Sequence, residues 1–221
     1  MPNKCKLVVM IIGTNSVGKT TLARAIHRDF IGLYVTILDN IATKWKEFDE
    51  EKGVEKMCAF TNLTTISANI GILSEAATGG ADSISSRFQS EVSLRASMKS
   101  NEIVTLEPIM ATRPYFDMVK DLCTSKGAKL FLIHLDIKDD EALFGRLRKR
   151  RALKKGIDIN SVIIEEKTRE NVLSKVRNFR NLFDKCFDEA EYSLRIDTSA
   201  ISEKGVFSKV IKKLEKIVLS I

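Results

Sequence analysis

Leu7-Val8-Val9-Met10-Ile11-Ile12-Gly13-Thr14-Asn15-Ser16-Val17-Gly18-Lys19-Thr20 is the stretch on which the fold turns. Six consecutive apolar residues that end at a glycine suit a strand buried on both faces of a parallel sheet. Residues 13–20 then satisfy the pattern G-x-x-x-x-G-K-[ST] at every specified position. A strand that turns into a helix around an anion aims successive backbone amides at it. Glycine permits both the required dihedrals and the close approach. A helix starting in the Lys19–Thr21 region and running to about Phe30 adds its unpaired amides and the positive end of its dipole. Lys19 supplies a point charge for the β- and γ-phosphates of ATP, and Thr20 a hydroxyl for Mg²⁺. Gly13, Thr14, Asn15, Ser16, Val17, Gly18, Lys19, Thr20 and Thr21 are therefore the candidate ATP-binding residues.

Outward from this cradle, strand and helix patterns alternate. Leu33–Leu38 is β-branched and aromatic, a second strand ending in Asp39-Asn40. From Thr43 to about Met98 the pattern is helix-like, with Gly71 and Gly79-Gly80 as its main breaks. Ile103–Leu106 is a third strand, closed by Glu107-Pro108. A helix from Arg113 to Ser125 enters through Pro114, and Gly127 ends it. Lys129–Leu135 is a fourth strand, and Asp139 caps a helix that runs through an arginine cluster to Gly156. A long amphipathic helix is expected from about Ser161, with Val172, Val176, Phe179, Phe183 and Cys186 at helical spacing. Tyr192–Ile196 is a fifth strand, and Glu203–Val218 a terminal helix. The apolar runs are too far apart for hairpins, so the class is α/β: a parallel sheet covered by helices on both faces. No repeat or linker interrupts it, and the expectation is one domain over residues 1–221.

The composition agrees with this. A chain of 221 residues with 44% apolar and 29% charged residues can bury one good core. No apolar run is long enough to span a bilayer, and the N-terminal apolar stretch is shorter than a signal-peptide core, so a cytoplasmic protein is expected. Cys5, Cys58, Cys123 and Cys186 form no CxxC pair, which argues against zinc and for a packing role. His27 and His134 have no partner in sequence and receive no acid–base role. The net charge of +7 is concentrated: residues 146–185 hold thirteen Lys or Arg against five acids, a net +8, leaving the remainder at −1. One basic segment on a near-neutral body points to a polyanionic ligand; a solvated Lys/Arg-rich helix face is the plainer reading.

Three features outside the cradle bear on its chemistry. Asp39 ends the second strand, and ligands of parallel sheets bind at the carboxyl ends of strands. A carboxylate there can accept the proton of an attacking hydroxyl, although Asp-Asn also suits a turn. Glu107 ends the third strand, where an acid can hold Mg²⁺, unless it is a simple strand-end carboxylate. Arg146 and Arg150, four apart on one helical face, can stabilise the charge that phosphoryl transfer spreads over oxygens. That makes residues from about 146 to 160 a candidate lid, against the alternative of a solubilising helix end.

In these residues the chain resembles the P-loop kinases of small metabolites, nucleosides, nucleotides and polynucleotide ends. The zeta-toxin-like and polynucleotide-kinase-like members are nearest in layout. The resemblance runs the whole length through GTNSVGKT, ILDN, VTLEP, LDIKDDEALFGRLRKRR and RIDTSAISE, of which the first alone is diagnostic. It implies a single-domain P-loop kinase fold, a five-stranded parallel sheet in the order 2-3-1-4-5 with an arginine-rich lid. It also implies that Arg146 stacks near the base, Arg150 reaches the phosphates and Asp39 activates the acceptor. The catalytic set is then Lys19, Asp39, Arg146 and Arg150, with Thr20 and Glu107 toward the metal. There are departures: no DRx triplet follows the second strand, Pro rather than Arg-Ser follows Glu107, and no NKxD motif is present.

The expected activity is transfer of the γ-phosphate of ATP to a hydroxyl. The basic excess favours a DNA acceptor, either a polynucleotide end or the hydroxymethyl group of a modified base. Tyr34, Trp45 and Phe48 flank the Asp39 region as candidate stacking residues. A nucleoside or nucleoside monophosphate kinase is the alternative. A small-metabolite kinase, or a P-loop ATPase that binds nucleic acid without modifying it, comes third. The expected partners are ATP and a nucleic-acid or nucleotide acceptor, with no membrane and no obligate protein partner.

Overall fold

A computed structural model describes residues 5–29, 33–37, 94, 95, 98, 102–108 and 112–221; for residues 24, 27–29 and 33–37 it describes the backbone only. Its centre is the apolar run read above. All six residues of β1 (Leu7–Ile12) are buried, because β1 is flanked on both edges and covered on both faces. Its neighbours are β3 (Ile103–Glu107) and β4 (Lys129–Asp136), both parallel to it; β2 (Leu33–Ile37) lies outside β3, and β5 (Tyr192–Asp197) outside β4. The order is β2-β3-β1-β4-β5, the order expected from the resemblance. The registers set Leu7 opposite Ile103 and Lys129, and Ile12 opposite His134.

The period of two along each strand divides the core in half. Leu7, Val9 and Ile11 pack with Leu22, Ala23 and Ile26 of α1 (Lys19–Asp29), and with Val206, Val210 and Leu214 of α5 (Glu203–Val218). Val8, Met10 and Ile12 face the other way. They meet Phe116, Val119 and Leu122 of α2 (Arg113–Lys126) and Phe179 and Phe183 of α4 (Glu166–Cys186). Full burial of each such side chain is worth about 1.5–3 kcal/mol. These two layers hold the strand ends rigid, and the strand ends carry the site.

α3 (Asp140–Lys155) is different. The Asp139 carboxylate starts it by accepting the amides of Glu141 (2.9 Å) and Ala142 (3.1 Å), and Gly156 ends it in the left-handed region at φ 65°. Only Leu143, Phe144 and Ala152 of α3 are buried, and from Lys149 to Ser161 every residue except Ala152 is exposed. The arm therefore leaves the body soon after its first turns. The long helix that the sequence starts near Ser161 begins instead at Glu166. Asp158 first closes a single 3₁₀ turn at Ile159–Ser161, its carboxylate accepting the Asn160 amide at 2.7 Å. Val162-Ile163-Ile164 follows, three β-branched residues with Val162 buried, and such residues resist the helix until Glu165 starts it. The helix-like reading of 43–98 lies outside the described residues except at 94, 95 and 98, which are helical. Among the described residues no helix is long and apolar enough to cross a membrane.

Candidate active site

The cradle is shaped by its backbone. Gly13 takes φ 146°, and a Cβ there would stand 2.4 Å from the carbonyl oxygen of Leu135 on β4, so no side chain fits. Ser16 (φ 67°) and Gly18 (φ 99°) take left-handed angles, and a Cβ on Gly18 would meet nothing within 4 Å. Alternating handedness of this kind turns consecutive amides to one side and builds a concave anion nest. The Gly18 carbonyl then accepts the Leu22 amide at 2.9 Å, and α1 is under way.

Lys19 is buried, and its ammonium lies over the loop, donating to the carbonyls of Gly13 (2.8 Å) and Thr14 (3.2 Å). The Thr20 hydroxyl donates to Oε1 of buried Glu107 at 2.8 Å, across 87 residues of sequence. That contact follows from the sheet, because β3 lies beside β1 with Leu106 opposite Met10. Ser16 Oγ is buried in the cradle without a hydrogen-bond partner among the described residues. These features suit the expected groups. A polyphosphate supplies acceptors to open amides and to the serine hydroxyl, and Mg²⁺ prefers hard oxygen donors of the Thr20 and Glu107 kind.

Arg146 is half-buried, and its guanidinium is docked on the β5–α5 loop. It donates through Nη1 to Thr198 Oγ1 at 3.0 Å and through Nη2 to the Thr198 carbonyl. Arg150, one turn further on, is exposed. The structure thus gives the two arginines of one helical face different surroundings. Asp39, Trp45 and Phe48 lie outside the described residues, as does the side chain of Tyr34.

Sequence reasoning missed a second polar cluster at the end of β4. Asp136 is buried and accepts from Arg180 Nε through both carboxylate oxygens, at 2.9 and 3.0 Å. His134, buried on the same strand, packs against the Phe183 ring with centroids 5.3 Å apart and accepts from Arg195 Nε through Nδ1 at 3.2 Å. It therefore has a partner, and one that is already cationic. Burial first, and then the Arg195 and Arg180 charges, push its pKa down to about 4 despite the opposing Asp136 carboxylate. Asp136 carried a signal that went unused, since it ends its strand as Glu107 ends β3. Arg180, 44 residues away, carried none.

No protein-family model matches the chain, and neither does any curated protein. Solved structures do match. One is a candidate kinase from Chloroflexus aurantiacus J-10-fl, 15% identical, with 97% of this chain and 98% of that one covered at a TM-score of 0.55. Another is a gluconokinase from Sinorhizobium meliloti 1021, also 15% identical, with 98% and 95% covered at a TM-score of 0.52. The fold is that of the P-loop kinases. At this level of identity the likeness defines the architecture, and the chemistry rests on the residues of this chain.

Proposed function

We propose that this chain is an ATP- and Mg²⁺-dependent phosphotransferase acting on a hydroxyl. The observation that carries this reading is the Thr20–Glu107 hydrogen bond at the mouth of the cradle, which joins a hydroxyl and a buried carboxylate beside Lys19. Residues 13–21 would hold the polyphosphate through backbone amides, with the Lys19 ammonium against its β- and γ-oxygens. Thr20 and Glu107 would hold Mg²⁺, which when bound neutralises charge on those oxygens. Asp39 is assigned the acceptor side. β2 supports this, since it runs parallel to β3 with Ile37 opposite Glu107, so the chain leaves β2 at the same edge of the sheet. Asp39 accepts the proton of the acceptor hydroxyl as the new O–P bond forms; the bond between the γ-phosphorus and the β,γ-bridging oxygen breaks, and ADP leaves. Arg146 and Arg150 belong to the lid, Arg146 toward the base and Arg150 toward the charge of the transferring group.

The acceptor we assign is a hydroxyl of DNA, at a polynucleotide end or on a hydroxymethylated base. The exposed Lys149, Arg151, Lys154, Lys155, Lys167 and Lys175 support it, for they exceed what closing over ATP requires. A small-molecule acceptor is the second reading, favoured by the structural likeness to the gluconokinase. The test is γ-labelled ATP with a mixture of plain and base-modified DNA, mononucleosides, mononucleotides and small alcohols. Label in DNA is expected. Label in a small acceptor alone replaces the acceptor and keeps the kinase, whereas labelled inorganic phosphate alone makes the chain an ATPase. Lys19→Ala should all but abolish transfer; activity within about tenfold of the unmodified chain, about 1.4 kcal/mol of barrier, overturns the phosphotransferase reading.

A further inference from the structure

A chain of hydrogen bonds crosses four elements on the β4–β5 side of the cradle. Arg180 of α4 grips the Asp136 carboxylate through Nε and the Ile137 carbonyl through Nη2 at 2.8 Å. The Ile137 amide closes back on Asp136 Oδ1 at 2.9 Å. The main-chain carbonyl of Asp136 accepts both the amide and the hydroxyl of Thr198, each at 2.9 Å. Thr198 is buried, and its hydroxyl oxygen and carbonyl together take the two Arg146 donors. The one hydroxyl proton is committed to Asp136, so the lone pairs face Arg146 and the guanidinium is held at two points.

The direction of this chain matters. Thr20 and Glu107 mark the metal and γ-phosphate end of the cradle, on the β3 side of β1. A nucleotide lying across β1 therefore carries its nucleoside toward β4 and β5, where Gly13 already abuts Leu135, the residue before Asp136. A free arginine side chain carries rotamer entropy, which a ligand must offset if it captures the group on binding.

We propose that Thr198, Asp136 and Arg180 are positioning residues that hold the Arg146 guanidinium, before binding, against the nucleoside side of ATP. The proposal rests on the ATP-dependent reading above and adds to it the residues that set affinity for the base-bearing half of the ligand. Loss of the Thr198 hydroxyl weakens a ligand that has a nucleoside and spares one that is only a polyphosphate.

The experiment is calorimetric titration of ATP and of inorganic tripolyphosphate into the unmodified chain, Thr198→Val, Thr198→Ser, Arg146→Ala and the Thr198→Val/Arg146→Ala pair. Thr198→Val should weaken ATP about tenfold, the scale of a hydrogen bond to a charged group, and change tripolyphosphate by less than about twofold. Thr198→Ser should restore ATP affinity. In the Arg146→Ala background Thr198→Val should add less than about twofold, because the threonine acts through that arginine. Equal losses for both ligands, or an undiminished loss without Arg146, overturn the proposal. If Thr198→Val does not fold, Arg180→Lys, which keeps the charge but loses the guanidinium geometry, is read by the same comparison. Failure of the unmodified chain to bind either ligand sinks the ATP-dependent reading itself.

Discussion

Glu107 and His134 are both buried titratable residues on inner strands of the sheet, and they have opposite uses. Glu107 is held against Thr20, so its oxygens are directed at the cradle. Glu107→Gln removes the charge and keeps the size. It should raise the Mg²⁺ concentration needed for half-maximal transfer, by about tenfold for the loss of one charged contact. A titration unchanged by the substitution makes Glu107 structural. His134 is a neutral imidazole sealed among Phe183 and two guanidinium groups. Its folded-state pKa of about 4 lies below the ordinary 6.5, so the unfolded chain binds the proton more readily. Its contribution is present above about pH 6.5 and is lost as pH falls toward 4, by about 3 kcal/mol in all. Melting temperature followed across that window should fall for the native sequence. It should fall much less for His134→Asn, which keeps an acceptor for Arg195 and cannot titrate. Glu189, held down to about 2 by Arg113 and then Lys120, acts only below its ordinary 4.5, so the two windows separate.

At the scale of elements, α3 depends more on its first turn than the other helices do. Helices α2, α4 and α5 bury apolar stripes, whereas α3 has three buried residues in sixteen. The Asp139 cap and the acids of its first turn, Asp140 and Glu141, therefore carry a large share of its stability. Glu141 also pairs with Arg169 of α4 at 3.0 Å, and Arg169 lies over the Phe144 ring at 4.0 Å. These contacts fasten the root of the arm and leave its tip open. Asp139→Ala should cost about 1 kcal/mol. Because the arm bears Arg146 and Arg150, it should also lower turnover more than a core substitution of equal cost. Equal turnover at equal stability would separate the cap from the activity.

Across the whole molecule, the basic segment is partly spent on the fold. Arg146 is bound to Thr198, Arg148 and Arg169 pair with Glu141, and Arg180 is bound to Asp136. Lys167, Lys175 and Arg177 remain exposed on α4, outside the cradle and α3. If they track a nucleic-acid backbone, the chain should bind DNA without ATP, and affinity should fall steeply with salt as counterions are released. Replacing all three by glutamine should lower the slope of log affinity against log salt by up to about 3, since each phosphate contact contributes about 0.9. ATP hydrolysis should be unaffected. An unaltered slope removes α4 from the DNA reading.

The strands, the helices and the cradle were legible in the sequence because each is local. A run of six apolar residues, a glycine that takes φ 146° and a capping aspartate act on their own neighbours along the chain. Phosphate chemistry likewise fixes the spacing from Gly13 to Thr20. Strand order came through the resemblance as a whole and not from any single residue. The delayed start of α4 was misread because the helical period extends back past Ser161, while the β-branched run 162–164 and the buried Val162 oppose it. Only the tertiary structure decided which polar groups meet. Thr20 finds Glu107 because parallel pairing sets β3 beside β1; Arg180 finds Asp136, and Arg146 finds Thr198, because helices crossing the sheet bring together residues 44 and 52 apart. The physical reason is that a buried charge takes the nearest partner in space, and distance along the chain does not enter that energy.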